Sequence, residues 1–142
     1  MSREATPSAR YPALCCGRVL VVDDNRDAAH TLARLLVALG SQAREAYSGP
    51  EAIAAIECEL PELVFLDLGM AGMDGIETAR QIGARFSACD IPIVAITGLG
   101  QQEDRERTRE AGFAAHLVKP VTLELLEQTL GEFFPAKRRA PK

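Results

Sequence analysis

The chain has 142 residues, 47% of them apolar and 25% charged, with a formal net charge of −4. That length accommodates one domain with a real core and is too short for two ordinary ones. The acidic balance gives no reason to expect a nucleic-acid partner, and no apolar run approaches the roughly 20 residues that span a bilayer or forms a cleavable leader, so the expectation is a cytoplasmic protein with no membrane insertion.

Residues 1–17 carry Pro7, Pro12 and Gly17 without periodicity and read as a flexible tail or linker. The first strand is predicted at Arg18–Val22, ending in Asp23-Asp24-Asn25. A helix follows from about Arg26 to Leu39, with Ala29, Leu32, Leu36 and Leu39 on one face and Gly40 as its stop. A short second strand around Gln42–Ala46 has little apolar content. The second helix opens at Ser48-Gly49-Pro50 and ends before Pro61. Leu63–Leu66 is an unbroken apolar run, the mark of a strand buried on both faces of a parallel sheet, and it stops at Asp67. After a loop with Gly69 and Gly72 comes a third helix over roughly Gly75–Phe86, with Ile76, Ala79 and Ile82 inward.

The fourth strand, Ile93–Ile96, is again continuous and apolar and ends in Thr97-Gly98. A strongly charged fourth helix is predicted over about Gln102–Ala111, a solvated face with little core burial, and Gly112 ends it. The fifth strand is Ala114–Val118, ending in Lys119-Pro120. The fifth helix runs from about Leu123 to Phe134 behind a Thr122 cap, and residues 135–142 form a short basic tail, read as a solvated terminus. Five strands alternating with five helices argue for a parallel sheet with right-handed crossovers and helices on both faces. The four cysteines, Cys15, Cys16, Cys58 and Cys89, lack metal-like spacing and read as reduced thiols.

The strand ends carry the chemistry. Asp23-Asp24, Asp67, Thr97 and Lys119 each follow or terminate a predicted strand, and all fall at the carboxyl edge of one sheet, where open α/β sheets place their ligands. Capping alone accounts poorly for four such ends. Three neighbouring carboxylates repel, by about 4 kcal/mol for a like pair at about 4 Å and an effective dielectric of about 20, so a proton or a cation must relieve them. An oxygen donor set without His or Cys suits Mg²⁺, which takes few carboxylates and keeps several waters. Such an ion, a lysine and a hydroxyl make a cradle for a phosphoryl group, and a carboxylate can accept that group as a mixed anhydride. Asp67 is the best candidate acceptor, because it stands alone at the central strand with the flexible Gly69 after it.

With these residues in place the chain resembles the receiver domain of two-component response regulators. The matching motifs are Val-Leu-Val-Val-Asp-Asp-Asn at 19–25, Leu-Asp-Leu-Gly-Met-Ala-Gly-Met-Asp-Gly at 66–75, Ile-Thr-Gly at 96–98 and Lys-Pro at 119–120. The resemblance covers about residues 17–134 and implies a receiver domain at 18–134, of the flavodoxin-like (βα)5 class with strand order 2-1-3-4-5. It also implies a signalling domain rather than an enzyme, one that promotes its own Mg²⁺-dependent phosphorylation and dephosphorylation. In that reading Asp67 is the phosphoacceptor, charged by a histidine kinase or histidine phosphotransfer protein. Asp23, Asp24, Asp67 and the carbonyl of Gly69 hold Mg²⁺. Thr97 and Lys119 bind the phosphoryl group, the Lys119–Pro120 bond is cis, and Thr97 with His116 forms the switch. A downstream effector or a second copy would use the face of the fourth helix, fifth strand and fifth helix. The segment from Ala111 to Val121 also looks like receivers fused to hybrid sensor kinases, so a stand-alone regulator and an excised domain both remain open.

There are departures from the family pattern. Ala71 replaces a common proline, which implies a looser loop after Asp67; Gly69 has no side chain two residues after Asp67 and Leu99 is apolar two residues after Thr97, and these two imply an altered lifetime of the phosphorylated form. His116 stands where the family often has Tyr or Phe; its position alone supports the switch role, and a merely half-buried strand residue is the alternative. Other uses of such a sheet fit less well. A nucleotide or flavin binder needs a glycine-bearing phosphate loop after the first strand, where Asp23-Asp24-Asn25 stands. A haloacid-dehalogenase-like phosphatase needs an acid two residues after its nucleophile, where Gly69 stands. A receiver-like module that is never phosphorylated is the remaining alternative, and the strain of an unneutralised acidic pair argues against it.

Overall fold

The computed structural model describes residues 17–69, 75–98 and 112–134. Its elements in chain order are β1 (Arg18–Val22), α1 (Arg26–Ala38), β2 (Gln42–Ala46), α2 (Gly49–Cys58), β3 (Leu63–Asp67), α3 (Gly75–Arg85), a 3₁₀ turn (Ser87–Cys89), β4 (Ile93–Thr97), β5 (Ala115–Val118) and α4 (Leu123–Phe133). The last of these is the fifth helix expected from the sequence. The charged helix expected over 102–111 lies outside the described residues, as do Ala71, Leu99 and the segments 1–16 and 135–142.

All strands are parallel, in the order β2-β1-β3-β4-β5. The central position of β3 follows from its sequence, because five consecutive buried residues require neighbours on both edges and both faces. β2 tolerates the edge because Gln42, Arg44 and Glu45 keep their polar ends in solvent or on partners. Arg44 donates to the carbonyls of Ala55 and Glu59, closing the C-terminal end of α2.

Alternate strand residues point to opposite faces and build two cores. On one face Val19, Val21, Phe65, Val94 and Ile96 pack under α1 and α4 through Leu36, Leu126 and Leu130. On the other, Leu20, Val22, Val64, Leu66 and Ile93 pack under α2 and α3 through Ile56 and Ile82. Each such side chain contributes about 1.5–3 kcal/mol on burial. Helix starts are fixed by side-chain caps: Asn25 accepts from the Ala28 amide, Ser48 from Glu51 and Thr122 from Leu125. Gly40, with φ of 100°, ends α1 in the left-handed region that its sequence position suggested.

Two strands run one residue further than the apolar pattern indicates. β3 includes Asp67, opposite Ile96, and β4 includes Thr97, opposite Val118. Their polar side chains are therefore held by sheet pairing rather than by a loop. Gly75 permits this closeness: a Cβ there would lie 2.9 Å from Leu68 Cδ2 and 3.1 Å from the Asp67 carbonyl oxygen.

Candidate functional site

The carboxyl edge of the sheet brings the sequence-derived residues together. Asp67, only 5% exposed, accepts a hydrogen bond at Oδ1 from the Gly69 amide at 2.8 Å. Its Oδ2 accepts from Lys119 Nζ at 3.0 Å. The lysine is 44% exposed along its side chain, so it reaches the buried acid from the rim of the site. Its backbone is fixed by a 2.8 Å bond from its amide to the Thr97 carbonyl, and the Lys119–Pro120 peptide bond is cis.

Asp23 directly follows β1, beside Asp67. Its amide donates to the Ala46 carbonyl at 3.0 Å, and its Oδ1 accepts from the Asn25 amide at 3.0 Å. Burial pushes the Asp23 carboxyl up to about 6, opposed by the Asn25 amide and reinforced by the charge and hydrogen bond of Asp67. Asp24, the next residue, is exposed. Two carboxyl groups in contact, with one lysine between them and solvent, form a site short of positive charge. Mg²⁺ needs only one or two carboxylates and keeps water for its other positions, so this donor set fits it. Among the described residues no group of three or more His, Cys, Asp or Glu side chains is assembled that could hold a metal ion.

Thr97 is fully buried at the end of β4, and its Oγ1 lies 2.9 Å from Nε2 of His116 on the neighbouring β5. Sequence spacing singled out both residues, but only the parallel register of β4 and β5 joins them. Two further features escaped sequence reasoning. A cavity of about 620 Å³ opens beside the site between α1 and the β5–α4 connection, lined by Asp23, Asn25, Leu32, Leu35, Lys119 and Val121. A polar cluster of Arg26, His30, Glu45 and Tyr47 ties the start of α1 to the end of β2. The two-residue spacing of Glu45 in β2 and Tyr47 just after it is a signal in the sequence that could have indicated it.

Comparison with known proteins gives a consistent assignment. The family model described as "Response regulator receiver domain" matches residues 19–131. The chain is 34% identical over 129 residues to the gliding motility regulatory protein of Myxococcus xanthus, covering 90% of this chain and 17% of that protein. With Protein PilH of Pseudomonas aeruginosa it shares 30% identity over 113 residues, covering 80% of this chain and 93% of PilH. The chain thus spans about a sixth of the one relative and nearly all of the other. The crystal structure of the receiver domain of NtrX from Brucella abortus superposes with a TM-score of 0.77 at 29% identity, covering 82% of this chain and 98% of that one. A family model matched over residues 19–131 and relatives at 30% identity or more place the chain in the response regulator receiver domain family of two-component systems.

Proposed function

We propose that Asp67 is the phosphoacceptor of a two-component phosphorelay, charged by the phosphohistidine of a histidine kinase or histidine phosphotransfer protein. The observation that carries this reading is the environment of Asp67: a nearly buried carboxylate at the end of the central strand, with Lys119 Nζ on Oδ2 and a second acid, Asp23, beside it. Neither burial nor the ion pair serves stability well at a sheet edge, because a buried charge pair seldom exceeds its desolvation cost.

In the transfer, a carboxylate oxygen of Asp67 attacks phosphorus and an O–P bond forms. The P–N bond to the donor imidazole breaks, its electron pair returning to the ring nitrogen, which ends neutral or takes a proton from solvent. Lys119, already within bonding distance of the acid, follows the negative charge onto a phosphoryl oxygen. Asp23, Asp24, Asp67 and the Gly69 carbonyl would hold Mg²⁺, which when bound supplies the positive charge that the equatorial phosphoryl oxygens require. Thr97 offers its hydroxyl to the phosphoryl group and gives up its bond to His116, which turns with the end of β5. That step couples a local charge change to a two-state element. The altered face of β5 and α4, with the charged helix expected over 102–111, then engages an effector or a second copy. Hydrolysis of the acyl phosphate by water resets the domain, so it acts as a signalling module and not as an enzyme with an external substrate. Among the described residues no helix is long and apolar enough to cross a membrane.

Intact-mass measurement after incubation with a small phosphodonor and Mg²⁺ tests the reading. A single phosphoryl adduct that requires Mg²⁺ and is absent from Asp67→Asn is the expected result. No adduct and no Mg²⁺ binding would replace it with an interaction module that is never phosphorylated.

A further inference from the structure

One residue, Asn25, joins the acid that follows β1 to the helix beside the site. Its amide donates to Asp23 Oδ1 at 3.0 Å, closing a turn in which a carboxylate accepts from the backbone two residues on. Its side-chain Oδ1 accepts from the Ala28 amide at 3.0 Å and its carbonyl from the Ala29 amide at 3.0 Å, so the same residue is the N-cap of α1. With φ of −85° and ψ of 108° it has the extended backbone that a cap requires. Asp23 is anchored from the other side, its own amide donating to the Ala46 carbonyl of β2 at 3.0 Å. Asp67 uses the same kind of turn, its Oδ1 accepting from the Gly69 amide at 2.8 Å, but Gly69 has no side chain with which to fix its own backbone.

A helix start that loses its cap leaves an amide unsatisfied and frays from the first turn. Fraying frees the φ and ψ of residue 25 and with them the direction of its N–H, and the Asp23 carboxylate is then free to turn. Mg²⁺ is sensitive to that freedom, because it demands near-ideal octahedral geometry, whereas Ca²⁺ accepts a flexible shell. We infer that Asn25 is a positioning residue: by capping α1 it holds its own amide on Asp23 Oδ1, fixes that carboxylate before a cation arrives, and favours Mg²⁺ over Ca²⁺ at the site. This inference rests on the cation-binding reading of Asp23 and adds to it a residue outside the donor set. Capping alone needs only the side chain. The bond from the Asn25 amide to Asp23 is what carries the rigidity of the cap into the site.

Calorimetric titration of the full chain with Mg²⁺ and with Ca²⁺, well below the unfolding transition of every variant, provides a readout independent of phosphorylation. Asn25→Ala removes the cap, Asn25→Gly removes it with little loss of stability, and Asn25→Ser keeps a capping oxygen. Ser48→Ala removes a cap of the same kind from α2, away from the acids, and serves as the control for lost stability alone. The expected result is a Mg²⁺ Kd about three- to tenfold weaker in Asn25→Ala and Asn25→Gly, the range of one ordered hydrogen bond. The Ca²⁺ Kd should change by less than about twofold in the same variants. Asn25→Ser and Ser48→Ala should both bind Mg²⁺ as the parent does. An unchanged Mg²⁺ Kd in Asn25→Ala and Asn25→Gly, equal weakening for the two ions, or weakening as large in Asn25→Ser or Ser48→Ala overturns the inference while leaving the cation site standing. Parental protein that binds no Mg²⁺ overturns the cation-binding reading itself, and this inference with it.

Discussion

Thr97 Oγ1 and His116 Nε2 lie 2.9 Å apart, across adjacent strands whose register pairs Thr97 with Val118 and Ala95 with His116. The two residues expected to form the switch are therefore already bonded to each other, with the threonine buried and the histidine half-buried. Binding a phosphoryl mimic such as beryllofluoride at Asp67 should break this bond, because one hydroxyl cannot serve both partners in the same geometry. The Nε2 resonance of His116 should move on adding the mimic to the parent. In Thr97→Val, which lacks the hydroxyl, the resonance should start displaced and respond little.

Lys119 is the cation bonded to the candidate acceptor. Replacing it with Gln keeps a donor and length but removes the charge that follows the phosphoryl oxygens. Phosphorylation by a small phosphodonor should slow by about 10- to 100-fold, in the range of losing one preorganised electrostatic contact. The thermal midpoint should also fall, because the nearly buried Asp67 carboxylate is left without its cation. Initial rates from intact-mass time courses measure the first effect, and thermal unfolding the second.

Asp23 makes the site sensitive to pH in a defined direction. Its folded-state value of about 6, raised chiefly by burial, lies above the ordinary value of 3.8. The folded protein therefore binds more protons than the unfolded one between those values, and this group's contribution to stability falls as pH rises through that window. Mg²⁺ binds the ionised form, so the stabilisation it adds should grow as pH rises through about 6. Thermal midpoints with and without Mg²⁺ at pH values on either side of that point should diverge at the higher one. In Asp23→Asn the divergence should shrink at both.

Gly75 tests the packing that brings β3 and α3 together. An added Cβ would meet Leu68 Cδ2 at 2.9 Å and two backbone atoms, the Asp67 oxygen and Leu68 Cα, at 3.1 Å. Backbone cannot yield as a side chain can, so Gly75→Ala should destabilise by about 1–3 kcal/mol despite its better helix propensity. By contrast, a Cβ at Gly69 meets only Asp67 Oδ1 at 3.4 Å. Gly69→Ala should therefore leave the urea midpoint almost unchanged, and that difference between the two glycines is the measurement to make.

Much of this molecule was legible before any coordinates. The apolar runs at Leu63–Leu66 and Ile93–Ile96 could only be strands buried on both faces, and their alternation with amphipathic helices led to a doubly wound sheet. Caps at Ser48 and Thr122 and the stop at Gly40 are local chemistry and were readable as such. Acids, a hydroxyl and a lysine at successive strand ends had to meet, because a parallel sheet gathers its carboxyl ends on one edge. The exact reach of β3 and β4 was not legible, since Asp67 and Thr97 are polar residues whose place in a strand depends on pairing with Ile96 and Val118. Nor was the direct bond between Thr97 and His116, 19 residues apart in sequence, which depends on the register of β4 and β5. Arg26 opens α1 and Tyr47 follows β2, and only the packing of α1 against β2 stacks one on the other. Periodicity and cap chemistry act within one segment and are written in its residues, whereas register and contacts between elements are set by how the whole sheet and its helices close, which no single segment carries.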